Sequence, residues 1–427
     1  MRIGIVGAGI IGVTTGFELA SEGHSVTVFD QRSSVAEEAS FAHAGLTAPM
    51  STLIWPSPAV WAALRTGADA NADQGLRSLP WLWRRFKAHR SPRAAEALRA
   101  LQAMSVLGRA RLDQLNTLIG QNYERQSGCL LLIRNAQQAR KLAHELARLE
   151  EAGQRAIALE PTDVRAIVPE LQGIESLRAA AHLPLAEAAN ARQFAQLLRA
   201  KAEQIGVQFR FQHEVLTVSP GSTVRIDWRD GADLSSKQAS RRQRSPIEMA
   251  SDSDDFDAVV LCAGLASSQW LTDHSKRSVM APVLGWTLTM PLRQHEHAPP
   301  THSQPVLVDA SEGVSICQFG HRLRVSGGAV LRGSADACLS AGFKALFETL
   351  DRWLPGVAHA ERAQKWHGYA PTTPDGLPLL GPSAMPGVWL NTAHGAHGWS
   401  LAPACARVLA ELIAGKTPSL DVAPLRP

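Results

Sequence analysis

Cysteine is scarce and unpatterned in this 427-residue chain: Cys129, Cys262, Cys317, Cys338 and Cys405 are odd in number, scattered, and show no CxxC or other metal-ligand spacing. That argues against a disulfide framework and a cysteine-held metal, so no metal is expected and a reducing compartment fits best. No apolar run reaches the ~18 residues that crossing a bilayer requires. Because a strand pattern starts at the first residues, no cleaved leader is expected either, and a cytoplasmic protein is the reading. Excess charge of one sign is also missing. Forty-three Lys and Arg stand against thirty-nine Asp and Glu, a net +4. No basic run is interleaved with stacking aromatics, which argues against a nucleic-acid partner. Tyrosine occurs twice, as Tyr123 and Tyr369.

What is present begins at once. Residues 1–30 read as an apolar strand over 3–6, a turn with Gly7, Gly9 and Gly12, an apolar-periodic helix, and a second strand over 26–29 ending in Asp30. A lone GxGxxG is a weak signal. Here it follows a strand, opens a helix and precedes an acidic residue about 20 positions on, the context a dinucleotide site requires. Gly7 permits the tight turn, Gly9 lets backbone approach a pyrophosphate, and Gly12 lets helix and strand pack closely. The helix start at Ile10 and Ile11 supplies unpaired N–H groups. Asp30, followed by Gln31, is placed to take the ribose hydroxyls of an adenosine.

The composition, 45% hydrophobic and 19% charged, suits an α/β protein of about two or three domains. A helical stretch with Trp55, Trp61, Trp81 and Trp83 precedes a strand at 128–133, a helix at 137–153 and a strand at 177–183. A helix at 191–206 with Phe194, Leu197, Leu198 and Ala202 on one face then leads to strands at 207–211 and 224–228, and Val215 lies between them. Segment 231–255 has almost no apolar content and is expected to be a flexible insertion between two strands of a meander. Residues 256–264 form a buried strand ending at Ala263 and Gly264, where a nucleotide sheet again approaches its cofactor. Strands near 283–290, 306–308, 315–319 and 323–325 follow. The expected organisation is a discontinuous Rossmann-type nucleotide domain, 1–50, 187–275 and 360–427, with a second, mixed and largely antiparallel sheet domain, 51–186 and 276–359.

The C-terminal part carries GYAPTTPDGLPLLG, a strand at 388–390 and NTAHGAHGWS before a helix running through Ile413. A glycine-bounded loop, Gly395 and Gly398, opening a helix directs N–H groups and a positive dipole end forward, where a reduced flavin is an anion. Ser400 is expected to cap this helix, with Pro403 in its first turn. A nicotinamide enzyme has no comparable need for a second loop at the ring, so the two ends of the chain together favour FAD over NAD.

These stretches carry a resemblance along nearly the whole chain. SFAHAG (40–45), GCLLL (128–132), PVLGWTLT (282–289), TPDGLPLLG (373–381) and NTAHGAHGW (391–399) resemble the small-subunit type of D-amino-acid dehydrogenase within the D-amino-acid oxidase and glycine oxidase superfamily. The resemblance implies a glutathione-reductase-like FAD domain and non-covalent FAD. It also implies hydride transfer from an amino-acid Cα to flavin N5, an imine product, and re-oxidation by a quinone or another acceptor. With Val215, it adds Ser40, Ala42, His43, Ala44, Gly368, Asp375, Ala396, His397 and Trp399 to the residues expected around the cofactor.

The chain also departs from that pattern. Ala370 replaces the arginine that grips the substrate carboxylate, Leu284 a lysine, Trp286 a tyrosine and Val330 a glutamate. A reshaped, more hydrophobic pocket is expected, built from Leu284, Trp286, Tyr369 and Val330. Its substrate either lacks a free carboxylate or presents it to Arg322 or Arg324. His43, where the family has asparagine, His397 and Tyr369 are the candidate catalytic side chains, and His394 is read as structural. The alternatives are a glycine-oxidase-like use of oxygen, a flavin-binding protein without turnover, and an NAD-binding regulatory module. The Trp, Leu and Arg mixture at 76–90 can lie at a bilayer interface, so peripheral membrane contact joins the expected partners.

Overall fold

A computed structural model describes residues 1–48, 72–231, 252–271, 280–293, 304–331 and 335–425. The chain opens as strand β1 (Arg2–Val6), helix α1 (Ile10–Ser21) and strand β2 (Ser25–Asp30). There follow β3 (Leu46–Thr47), α2 (Ala72–Arg90), α3 (Arg93–Ile119), β4 (Gln126–Ile133), α4 (Ala136–Glu151), β5 (Ile157–Leu159) and β6 (Ala179–Ala188). Helix α5 (Ala191–Gln204) leads to β7 (Gln208–Phe211), β8 (His213–Ser219), β9 (Val224–Asp230), β10 (Asp252–Phe256) and β11 (Ala258–Leu261). Then come β12 (Ala281–Pro291), β13 (Val306–Asp309), β14 (Val314–Phe319), β15 (Arg322–Leu331) and α6 (Ala335–Trp353). The chain finishes with β16 (Gln364–Thr372), β17 (Leu379–Pro382), β18 (Val388–Thr392) and α7 (Gly398–Ile413).

Strands β1 and β11 are uninterrupted apolar runs because both of their faces are covered. They sit in the middle of a six-stranded sheet of order β17-β18-β11-β1-β2-β7. All its pairings are parallel except the edge pair β17–β18. Helices α1, α3, α5 and α7 share one core. The three-stranded meander β8–β9–β10 shares the other with Phe29, Val259 and Leu261. Helix α3 was expected in the second domain, within 51–186. Its Leu101, Met104, Leu112 and Leu115 instead pack in the first-domain core beside α7.

The expected insertion is shorter than the composition suggested, because Asp252–Phe256 pairs antiparallel with β9. Its carboxylates are held by cations rather than by apolar burial: Asp254 by Arg2 and Arg210, Asp255 by Arg225. Residues 232–251 lie outside the described residues, as do Trp55 and Trp61.

The second sheet has nine strands in the order β16-β12-β15-β14-β13-β4-β6-β3, with β5 also on β6. Its pairings are antiparallel except β13–β4. Strand β16, expected in the first domain with 360–427, is an edge of this sheet through its pairing with β12. Helix α6 and the segment 164–177 cover one face, where Leu284, Trp286, Leu288, Met290 and Val325 are buried. Helix α4 packs on the other, against Leu131 and Val308.

Helices α1, α3 and α7 are joined by a buried ion network. The fully buried Glu18 carboxylate accepts from Arg111 Nε at 2.7 Å and from a second Arg111 nitrogen at 3.0 Å. Arg407 lies 3.7 Å from the same carboxylate and also reaches Glu22 and Glu411. Burial raises the Glu18 carboxyl pKa while Arg111, then Arg407, pull it down. Removing one partner leaves a buried charge uncompensated, so Arg111→Met is expected to cost on the order of 3–5 kcal/mol in thermal or denaturant unfolding. The Glu18→Gln/Arg111→Met double variant should recover part of that loss. A single variant as stable as the parent would show the pair to be dispensable.

Candidate cofactor and active site

The turn between β1 and α1 contains two glycines that the protein itself requires and one that it does not. Gly7 has φ +104°, and a Cβ there would meet Cys262 O at 2.7 Å. A Cβ on Gly12 would stand 1.8 Å from Gly7 O. Gly9 has an ordinary φ of −67°, and its Cβ would meet only Ser40 Oγ, at 3.6 Å. Nothing in the fold demands glycine at that helix start, which fits a ligand that must approach the backbone. Ser40 Oγ accepts from Ile10 N at 3.2 Å. Ile11 and Gly12 lie in the first turn, where no intrahelical carbonyl is available. Asp30 accepts from Ala8 N and Arg32 N at 2.6 and 2.8 Å, one bond per carboxylate oxygen, leaving lone pairs for ribose hydroxyls. Gln31 is exposed beside it. The Val215 side chain is buried in the cluster that also contains Phe29.

A second cradle forms where β11 and β18 end. Gly264 has φ +58°, and its carbonyl accepts from Thr392 Oγ1 at 3.1 Å. Ala263, just before it, is half-buried. After β18 a 3-10 turn, Gly395–His397, runs into α7. Gly395 takes φ +56°, whereas Gly398 has an ordinary φ of −50°, and its Cβ would meet nothing closer than His394 Cβ at 4.0 Å. Gly398 thus repeats the situation of Gly9.

Because α7 begins at Gly398, two expectations are corrected. Ser400 is not the cap: it lies inside the first turn and donates to Leu46 O at 3.2 Å. Pro403 falls beyond the first turn, inside the helix. Trp399 is turned away into the core, edge-on to Phe194 at 4.9 Å and to Tyr123 at 6.3 Å. Asp375 is exposed and accepts from Leu377 N at 3.1 Å, closing its own turn.

Loop 40–45 bridges the two sheets. Thr287 Oγ1 donates to Ala42 O at 3.0 Å, an Arg324 terminal nitrogen donates to His43 O at 3.0 Å, and Cys317 Sγ donates to Ala44 O at 3.4 Å. Three consecutive carbonyls are therefore held from the second sheet. The His43 ring faces the other way: Nδ1 accepts from Gly45 N at 3.0 Å, which assigns the proton to Nε2, 3.3 Å from Ala396 O. With both nitrogens engaged, His43 cannot take an amine proton in this geometry, and the expectation of a base there is corrected. Burial pushes the His43 imidazole down to about 4, against the pull of the Ala396 carbonyl. Burial, then the neighbouring His43, takes His397 to about 4, and burial, then His397, takes His394 to about 3. The cluster is neutral near pH 7. His394 Nε2 is buried with no hydrogen-bond partner among the described residues.

The pleat of β12 decides which side chains face this loop, since successive residues point to opposite faces. Thr287 reaches Ala42 and Thr289 meets Arg324 Nε at 3.4 Å, so the odd-numbered residues face the first domain. Leu284 and Trp286 therefore face α6, where Trp286 occupies the space that a Cβ on Gly328 or Gly342 would enter. Val330 and Tyr369, both opposite Leu284 in the register, pack on the same core. The expected pocket of Leu284, Trp286, Val330 and Tyr369 is thus corrected, and so is the expected catalytic role of Tyr369: these four build the far side of the sheet.

The site-facing positions are Val283, opposite Ala370, and Gly285, opposite Gly368. The Trp366 ring lies over Gly368, whose Cβ would meet it at 2.3 Å, and stacks on Phe41 with centroids 6.4 Å apart. Trp81 and Leu82 of α2 pack at one end of this floor, on Ala281. Neither candidate cation reaches Ala370. Arg322 is held by both oxygens of Glu124, at 2.8 and 2.9 Å. Arg324 sits opposite Thr289, six residues (289 − 283) along β12 from the partner of Ala370, a separation of about 20 Å. Sequence reasoning missed Thr287, Trp366 and Phe41. The alternation through residues 283–290, with Leu284, Trp286, Leu288 and Met290 on one parity, was the signal for the facing.

These features define a Rossmann-type nucleotide-binding protein with a second sheet over the cofactor edge. The family described as FAD dependent oxidoreductase (DAO) matches residues 2–412, and the chain belongs to this family. FAD is its cofactor, as the glycine fingerprint and C-terminal loop together suggested. Among solved structures, glycine oxidase from Geobacillus kaustophilus is similar at 21% identity and TM-score 0.71, over 100% of this chain and 97% of that one. L-proline dehydrogenase from P. horikoshii matches at 16% and 0.69, over 99% and 95%. L-amino acid deaminase from Proteus myxofaciens matches at 15% and 0.69, over 100% and 92%. At these identities the likeness is one of fold. No group of three or more His, Cys, Asp or Glu suited to a metal occurs among the described residues, and no described helix is long and apolar enough to cross a membrane.

Two glycines separate cofactor from fold. Gly9→Val, whose Cβ position is sterically open, should yield a folded protein without flavin absorbance, whereas Gly12→Ala drives a Cβ into Gly7 O and should lose the fold itself. Full FAD content in Gly9→Val would contradict the placement of the pyrophosphate. The histidine cluster sets a pH dependence. Folded-state values near 3 to 4, against roughly 6.5 for a free imidazole, mean that the unfolded chain binds more protons below about 6.5. The histidine contribution to stability is therefore complete above that pH and is lost as pH falls toward 4. Melting curves of the His43→Asn/His397→Asn variant should show a weaker acid-side decline than the parent; parallel curves would contradict it.

Proposed function

We propose that this protein oxidises the C–N bond of an apolar amine or a carboxyl-modified amino acid, in the manner of a D-amino-acid dehydrogenase but without its carboxylate clamp. The observation that carries this reading is the uncharged floor of Val283, Gly285, Gly368 and Ala370, walled by Trp366 and Phe41. A free carboxylate on such a floor would be desolvated with neither Arg322 nor Arg324 to receive it, while an apolar body would gain burial against the indole. FAD, when bound, would supply the two-electron acceptor for the hydride of the carbon bearing the nitrogen. Gly7, Gly9, Ile10, Ile11 and Gly12 would hold its pyrophosphate, and Asp30 its ribose.

Loop 395–398 and the α7 start at Gly398 would face the ring with backbone N–H groups and a positive dipole end, favouring the negative charge that reduction brings. With the described histidines of this loop neutral, the substrate nitrogen arrives uncharged or gives its proton to water. Orientation rather than acid–base chemistry is then the main contribution of the chain.

An anaerobic screen of flavin bleaching with D-amino acids, their esters and amides, and simple and cyclic amines tests the reading. D-Alanine should reduce the flavin slowly and with weak saturation, and an apolar amine or ester should do so faster. A bidentate guanidinium–carboxylate contact is worth on the order of 1.5–3 kcal/mol, so Ala370→Arg should raise D-amino-acid oxidation roughly tenfold or more relative to the preferred substrate. Efficient D-alanine turnover by the parent protein would overturn the proposal, and bound FAD that nothing in the panel reduces would favour a binding role without turnover.

The acceptor reading rests on a different observation. On α2, Trp83 and Leu79 are 58% and 54% exposed, Lys87 lies over the Trp83 ring and Arg90 over Phe86. An apolar, aromatic and basic surface of this kind supports peripheral contact with an anionic bilayer, and hence a membrane quinone rather than oxygen as acceptor. Co-sedimentation with anionic vesicles, lost in Trp83→Glu, is the expected result. No association with such vesicles, together with rapid re-oxidation by oxygen, would favour the glycine-oxidase-like alternative.

A further inference from the structure

The second sheet holds three successive carbonyls of loop 40–45, and the arrangement of the donors is not arbitrary. Thr287 and Arg324 belong to adjacent paired strands of one sheet, and Arg324 spans two partners, Thr289 Oγ1 at 3.4 Å and His43 O at 3.0 Å. Its guanidinium is otherwise flanked by the Phe319 ring, 4.8 Å from the centroid, and the carboxylate that acts on it, Glu124, is the one held by Arg322. A planar fork pinned at two points fixes the height and tilt of the carbonyl it holds. The residue whose carbonyl is held is the one whose ring extends to the C-terminal loop, through Nε2 at 3.3 Å from Ala396 O.

Ala396 is the middle residue of the turn that delivers Gly398 to the start of α7. The path from the second sheet to that helix start is thus Thr289, Arg324, the His43 backbone, the His43 ring, and the Ala396 carbonyl. We propose that Arg324 is a positioning residue, which sets the flavin-facing turn 395–398 through His43 and so couples the substrate-domain sheet to the cofactor ring. The inference rests on the reading that this turn faces the flavin. It reassigns Arg324 from a carboxylate ligand to a support for the loop.

Because the substrate is unidentified, the test reads the flavin itself. FAD dissociation is followed by fluorescence and the flavin midpoint potential by anaerobic dye equilibration, on the holoprotein and on Arg324→Met, Arg324→Lys, His43→Phe and Arg324→Met/His43→Phe. Loss of one buried hydrogen-bonded strap should weaken FAD roughly three- to tenfold in either single variant and make the potential more negative. The double variant should be no worse than the worse single, because both act through one path. Arg324→Lys keeps the charge but not the fork, and should recover only a minor part of the effect.

Additive effects, or full recovery in Arg324→Lys, would assign Arg324 a purely electrostatic role and overturn the proposal. Should Arg324→Met not fold, Thr287→Val, which removes the neighbouring anchor on Ala42, enters the same cycle with His43→Phe under the same criteria. Gly398→Ala separates the two levels of the argument. If it leaves affinity and potential unchanged, the turn does not face the flavin and the underlying reading fails. If it shifts them while the Arg324 and His43 variants do not, only the positioning role fails.

Discussion

Three adjacent parallel strands, β18, β11 and β1, end at one edge of the first sheet, and the helices that follow two of them start there with backbone N–H groups that no helix can satisfy. The rest of the site is arranged around that constraint. Each of these helix starts has a glycine, Gly9 or Gly398, that no steric or dihedral requirement of the protein explains. Each is flanked by glycines that the local backbone does need, Gly7 and Gly12 in one case and Gly395 in the other. On the reading proposed above, FAD would meet both ends of the demand, its pyrophosphate at α1 and its ring at α7.

The second sheet contributes shape more than charge. Its site-facing strip is built of small or hydroxylated residues, Val283, Gly285, Thr287 and Thr289, with Gly368 and Ala370 alongside. Leu284, Trp286 and Tyr369 lie on the α6 side, and Trp366 stands on the site side over Gly368. That division places an uncharged floor before the cofactor edge, and the strip's hydroxyls and Arg324 on the backbone of loop 40–45. The three histidines nearby are kept neutral by burial.

Much of this was legible in the amino-acid order. The βαβ unit of residues 1–30 could be read because each of its glycines sits at a position with a distinct steric role, and the C-terminal turn because its glycines open a helix. Segment 252–256 was hidden: its strand is stabilised by Arg–Asp pairs to distant residues instead of an apolar alternation. Helix α3 was placed with the second domain only because it falls within 51–186, and its position along the chain does not show which core its Leu101, Met104 and Leu112 join. The facing of Leu284, Trp286 and Tyr369 was in the sequence as period-two alternation. Family substitutions drew attention to those positions without regard to their parity. The roles of Arg322 and Arg324 could not be read, because Glu124 and the His43 carbonyl are about 200 and 280 residues away along the chain.

The central claim is geometric: cofactor ring and substrate meet between the α7 start and the odd-numbered face of β12. The most direct measurement is a crystal structure of the holoprotein with FAD and an apolar amine or competitive inhibitor bound. The account predicts the pyrophosphate at Gly9, the ring against residues 395–398, and the ligand over Val283, Gly285, Gly368 and Ala370 with its apolar body on Trp366. A ligand bound on the side of Leu284, Trp286 and Tyr369, or a ligand carboxylate held by Arg324, would contradict it.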